Sequence, residues 1–145
     1  MIKQFLDILE KEEIILSQLV LVTEYQNRAL IEYKTSSVPD IIIKQESLLS
    51  QLSKIENERI RMFMEIFKIS RVEAVNLKLS MIEGKLKGDN ALAVKELRMS
   101  IAKLNSKLIK LNNENRILAN RGKQSINNII KTLNQNNNAV FNVRI

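Results

Sequence analysis

Apolar residues recur at 3- and 4-residue steps along almost the whole sequence, and only one proline and three glycines can interrupt them. Such a chain favours long helices with short connections over a sheet-rich fold. Its 145 residues are a single-domain length, and 45% apolar content is enough to bury a core. With 4% aromatic residues and no tryptophan, that core should be built mostly from leucine and isoleucine. The expected fold class is all-α: an antiparallel bundle or coiled coil of three long helices plus one short helix, with an overhanging C-terminal helix.

The first run covers about 3–36 and carries Phe5, Ile8, Leu9, Ile15, Leu16, Leu19, Val22, Ala29, Leu30 and Tyr33 on one broad stripe. Ser37, Pro39 and Asp40 then suit the start of a second helix over about 38–68, as N-cap, first-turn proline and first-turn acid. Helices joined by so short a turn pack antiparallel. The Ser70-Arg71-Val72-Glu73 spacing is that of a capping box, which predicts a shorter helix over about 70–83. A glycine-containing connection leads to the last helix, over about 90–133. At 1.5 Å per residue the long runs span roughly 50, 45 and 65 Å, so the last should overhang by about 15 to 20 Å. Residues 1–133 are read as one helical domain and 134–145, which open with Asn134-Gln135-Asn136-Asn137-Asn138, as a flexible polar tail.

The last helix changes character along its length. Its inward positions read Leu97, Ile101, Leu104, Leu108 and Leu111, then Asn115, Leu118, Gly122, Ser125 and Ile129. A helix that loses its own core stripe yet continues for some twenty residues has either a frayed end or a surface awaiting another chain. On the second reading, Leu111, Leu118, Ile126, Ile129, Ile130 and Leu133 are the apolar anchors of helix-in-groove binding, with Asn115 a polar residue that sets register.

Catalysis finds little support. The chain has no histidine and no cysteine, so the usual general base, thiolate nucleophile and zinc ligands are missing, and neither a metal nor a cofactor is expected. Glu12, Glu13, Glu56 and Glu58 sit among Lys11, Lys54 and Arg59 and read as solvated helix-surface partners. Gly84-Lys85-Leu86-Lys87-Gly88 lacks the spacing of a phosphate loop. The apolar run from Ile14 to Val22 is about half of the roughly 20 residues a membrane span needs, so no membrane insertion is expected.

Charge is unevenly placed. Residues 1–84 hold 11 Lys/Arg against 13 Asp/Glu, a net −2, whereas 85–145 hold 12 against 3, a net +9. One reading is a nucleic-acid or anionic-surface module using Lys95, Arg98, Lys103, Lys107, Lys110, Arg116, Arg121, Lys123 and Lys131. Stacking aromatics and any recognisable reading motif are absent from this stretch. A chain rich in Ile, Lys and Asn also acquires a lysine face from composition alone, and this reading outweighs nucleic acid. A third possibility is an acidic protein partner. A self-associating coiled-coil scaffold is the remaining alternative.

Three segments carry a likeness. Asn27-Arg28-Ala29-Leu30-Ile31 ends the first helix, KQESLLSQLSKIENERIRM runs from Lys44 to Met62, and ELRMSIAKLNSKLIKLNNENRILA runs from Glu96 to Ala119. In that order and spacing the chain resembles the flagellar export chaperones of the FlgN type over most of its length. The resemblance implies a cytoplasmic, non-enzymatic chaperone that binds the C-terminal helical segment of hook-associated (hook–filament junction) proteins. It would prevent their premature assembly and deliver them to the export gate of type III secretion, being monomeric when free. The resemblance also implies that the end of the last helix and the tail bind the client. Phe141 is the nearest match to a tail aromatic that docks at the gate, without the hydroxyl and the glycine-containing surroundings usual there.

Overall fold

A computed structural model describes residues 2–137. Within them the chain forms α1 (Ile2–Ile31), a 3-10 turn (Thr35–Ser37), α2 (Val38–Phe67), α3 (Arg71–Asn76), α4 (Leu79–Glu83) and α5 (Gly88–Asn137). Among the described residues there are no strands, and the long helices pack as an all-α bundle.

The ends of the helices depart from the sequence reading for local reasons. α1 stops at Ile31, before Ser36, because Tyr33 adopts a left-handed conformation at φ 58°. The Lys34 amide then reaches back to the Ala29 carbonyl at 2.9 Å and the Tyr33 amide to the Leu30 carbonyl at 3.4 Å. These two bonds close the helix as glycine usually does, here with a tyrosine in glycine's place. Ser37 does hold the N-cap position of α2, but its hydroxyl donates to the Lys34 carbonyl at 3.2 Å and does not cap.

The expected single short helix is two. Ser70 caps α3 by accepting from the Glu73 amide at 3.3 Å, as its spacing predicts. The chain then becomes extended at Leu77 and Lys78 before α4 begins. Leu77 and Leu79 both pack against the core. Residues two apart share a face only on extended backbone, so burying this pair interrupts the helix. Gly88, at φ 64°, opens α5. α5 runs without interruption through Gly122 to Asn137, four residues into the asparagine run that the sequence reading gave to the tail.

α1 lies between the other two long helices. It packs against both α2 and α5, whose backbones do not approach each other closely. Phe5 meets Phe63, and Thr23 meets Gln45, so α2 is antiparallel to α1. Asn115 meets Thr23 and Asn27, while Ile82 and Leu86, just before α5, line a cavity with Ile2 and Phe5. α5 therefore runs parallel to α1. The aliphatic core stacks Leu9, Leu16 and Leu19 of α1 with Leu48 and Ile55 of α2 and Val94, Ile101 and Leu108 of α5, all buried. Three of the four phenylalanines gather at the closed end, with Phe63 5.5 Å from Phe5 and 6.3 Å from Phe67 between ring centroids. α3 and α4 cover that end through Ala74 and Ile82.

Candidate partner-binding site

Above Leu19, Leu48 and Leu108 the core turns polar. α1 presents Thr23, Gln26 and Asn27, α2 presents Gln45 and α5 presents Asn115. The Asn115 amide nitrogen donates to the Thr23 carbonyl at 3.2 Å and to Gln26 Oε1 at 3.1 Å, and its Oδ1 accepts from Asn27 Nδ2 at 2.9 Å. Gln45 Nε2 donates to Gln26 Oε1 at 2.9 Å and to the Thr23 hydroxyl at 3.2 Å, and that hydroxyl donates to the Leu19 carbonyl at 2.7 Å. One network thus ties the three long helices together. Asn115 is 5% exposed, with both its amide nitrogen and its oxygen bonded.

Buried amides left without partners cost more than their bonds contribute. Asn115→Ala strands Asn27 Nδ2 and removes a donor from Gln26. It is expected to destabilise the fold by about 1 to 3 kcal/mol in urea or thermal unfolding. A change of a few tenths would show the network to be dispensable.

The network marks the height at which α5 begins to outrun its neighbours. Asn115 sits level with the turn between Thr23 and Asn27, and α1 ends at Ile31, so α5 leaves its support near Arg121. The residues beyond, 122–137, project by roughly 24 Å at 1.5 Å per residue. At about 100° per residue, Ile126, Ile129, Ile130 and Leu133 lie on the same side as Leu97, Leu104, Leu111 and Asn115. The core seam continues in register along the projection, where α1 is no longer present to cover it.

The candidate anchors divide accordingly. Leu111 is half-buried against the core and Asn115 is inside the network, so both are engaged within the chain itself. The open seam therefore starts at about Leu118, past the first two of the expected binding residues, because α1 meets Asn115 with polar groups of its own. Leu118 and Ile130 are half-buried. Ile126, Ile129 and Leu133 are 50%, 57% and 42% exposed, and the last two line a shallow cavity of about 310 Å³ with Ser125, Asn128 and Thr132. Phe141 lies outside the described residues.

Two features escaped the sequence reading. Glu12 is a buried group paired with Arg59 across α1 and α2, and not a solvated surface partner. A cavity of about 510 Å³ opens between the C-terminal end of α1 and the start of α2, with Val22, Ala29 and Ile41 in its wall and Arg28, Glu32, Asp40 and Lys44 around it. No residue of α5 lines it. Tyr25 on its edge, stacked under Arg28 at 4.7 Å, was the one signal available.

Of the basic residues on α5, Lys107 pairs with Glu24 at 2.7 Å and Arg98 with Glu83 at 2.8 Å. Arg116, Arg121, Lys123 and Lys131 make no ion pair among the described residues. Among those residues no group of three or more potential metal-binding side chains comes together, and no helix is long and apolar enough to cross a membrane.

A small helical bundle whose core seam runs on past its own support presents an apolar face of the kind that amphipathic helices cover. The chain matches the family model described as FlgN protein over residues 1–143, and so belongs to the FlgN family, a family of flagellar export chaperones and not of enzymes. No curated protein and no solved structure is similar enough to match it.

Proposed function

We propose that this protein is a cytoplasmic chaperone of flagellar type III export that lays the C-terminal helical segment of a hook-associated protein along the projecting part of α5. Membership in the FlgN family supports the chaperone role. The observation that carries the site is the continuation of the core seam through Ile126, Ile129 and Leu133, which no other element covers among the described residues. A client helix placed there takes the position that α1 vacates, and its own apolar face is masked from premature assembly. The free protein is a monomer in this reading, and Phe141 in the tail is the group proposed to dock at the export gate.

A chain ending at Arg121 tests this directly. It is expected to keep the cooperative unfolding of the full chain, since the core and the amide network lie below the cut. It should fail to retain a purified hook-associated protein that the full chain retains through that protein's C-terminal segment. Undiminished retention would overturn the assignment.

A further inference from the structure

The charge around the open seam selects among helices. Between residues 115 and 137 α5 carries Arg116, Arg121, Lys123 and Lys131 and no aspartate or glutamate, and none of the four makes an ion pair among the described residues. At about 100° per residue, Arg116 and Lys123 fall on one flank of the Ile126, Ile129 and Leu133 stripe, and Arg121 falls beyond its other flank. Arg98 and Lys107, on the supported part of α5, have carboxylate partners from α4 and α1. The seam outlasts its supporting helix, and the acidic residues of α5 itself stop at Glu114, before that support ends.

From this we infer that the projection takes an amphipathic helix whose apolar stripe is bordered by aspartate or glutamate, and that the basic flanks select it over a neutral or basic helix. This rests on the reading of the projection as the client site and adds the chemistry of the client. A helix seated on the stripe brings its own border positions beside Arg116, Lys123 and Arg121, at the edge of a contact that excludes water. Acidic borders there are attracted and basic ones repelled, which affects encounter rate and discrimination more than it adds affinity.

The same charge disfavours a second copy of this chain as occupant, because two projections laid together oppose cations with cations. It also separates an acidic helix from nucleic acid. A phosphate backbone is held by cations and needs no apolar stripe, whereas here the cations border exposed isoleucine and leucine.

The full chain is titrated with two labelled synthetic helical peptides of one apolar face, bordered in one by glutamate and in the other by lysine, and binding is read by fluorescence anisotropy. The glutamate peptide is expected to bind about tenfold or more tighter at low salt. The ratio should shrink towards one as the Debye length falls to about 3 Å near 1 M salt. Combined Arg116→Gln, Arg121→Gln and Lys123→Gln should abolish the preference while leaving the fold unchanged, these side chains being exposed and without ion pairs among the described residues.

Equal binding of both peptides would overturn the charge selection and leave the client-helix reading standing. Binding of neither would overturn both. A DNA duplex that binds, loses affinity in the glutamine variant and keeps it when Ile126, Ile129 and Leu133 are changed to serine would show the cations to serve a polyanion and overturn the inference.

Discussion

Replacing Ile126, Ile129 and Leu133 together by serine is expected to weaken client binding about a hundredfold and to leave unfolding of the bundle unchanged. Each of these side chains is close to half exposed in the free protein. Covering the remainder contributes about 1 kcal/mol apiece, half of what full burial of such a side chain gives. Three sites together give about 3 kcal/mol, and each 1.4 kcal/mol is tenfold in affinity. The same exposure means that the fold draws little on them, so thermal unfolding should not move. Leu111→Ser is the counterpart, because Leu111 packs against the core and its loss should lower stability. Binding that survives the triple change would remove the projection as the client site. Loss of cooperative unfolding would instead show that α5 is held along its whole length by contacts of its own.

Much of this arrangement was legible in the sequence because it depends on period. The three long stripes, the turn before Pro39 and the cap at Ser70 all follow from local rules that tertiary packing did not overrule. The thinning of the third stripe after Leu111 was legible too, but its meaning at Asn115 was not. A single asparagine in a seam reads alike whether it faces water, a client or another amide. The deciding fact lay on other helices, where Thr23, Gln26 and Asn27 interrupt the stripe of α1 and Gln45 that of α2 at the same height. Each of the three segments that resemble FlgN chaperones contributes one amide, Asn27, Gln45 or Asn115. Reading polar gaps jointly across stripes would have found the network. The split of α3 from α4 was hidden for a related reason, since it comes from burying Leu77 and Leu79 together and no breaker residue marks it.

Glu12 was misread by the same local habit, and its true setting gives the other large expected effect. Glutamates near lysines and arginines usually form exposed pairs, but here Arg59 Nη1 lies 2.8 and 2.7 Å from the two Glu12 carboxylate oxygens, with the Glu12 side chain only 5% exposed. Burial raises the Glu12 pKa above the ordinary carboxylate range, against the opposing pull of Arg59, and Glu56 adds to the rise. Arg59 Nε is itself buried without a hydrogen-bond partner. Such a pair contributes little net stability while intact, yet breaking it leaves a buried charge unmatched.

Arg59→Met is therefore expected to cost about 3 kcal/mol or more near neutral pH. Glu12→Leu with Arg59→Met should recover most of that, and the double variant can exceed the parent. The pH dependence has a definite sign. A carboxyl whose pKa is higher in the folded than in the unfolded state keeps its proton on folding where the unfolded chain has released it. Its contribution favours the fold at low pH and is lost as pH rises from the ordinary carboxylate range through the raised value. Removing Arg59 takes away the group that lowers this pKa, so the window extends upward in the single variant. The penalty of Arg59→Met should accordingly shrink as pH is lowered towards the carboxylate range, measured as urea unfolding free energy against pH relative to the parent. A penalty independent of pH, or a double variant as unstable as the single one, would mean that Arg59 acts through packing of its aliphatic stem and not through its charge.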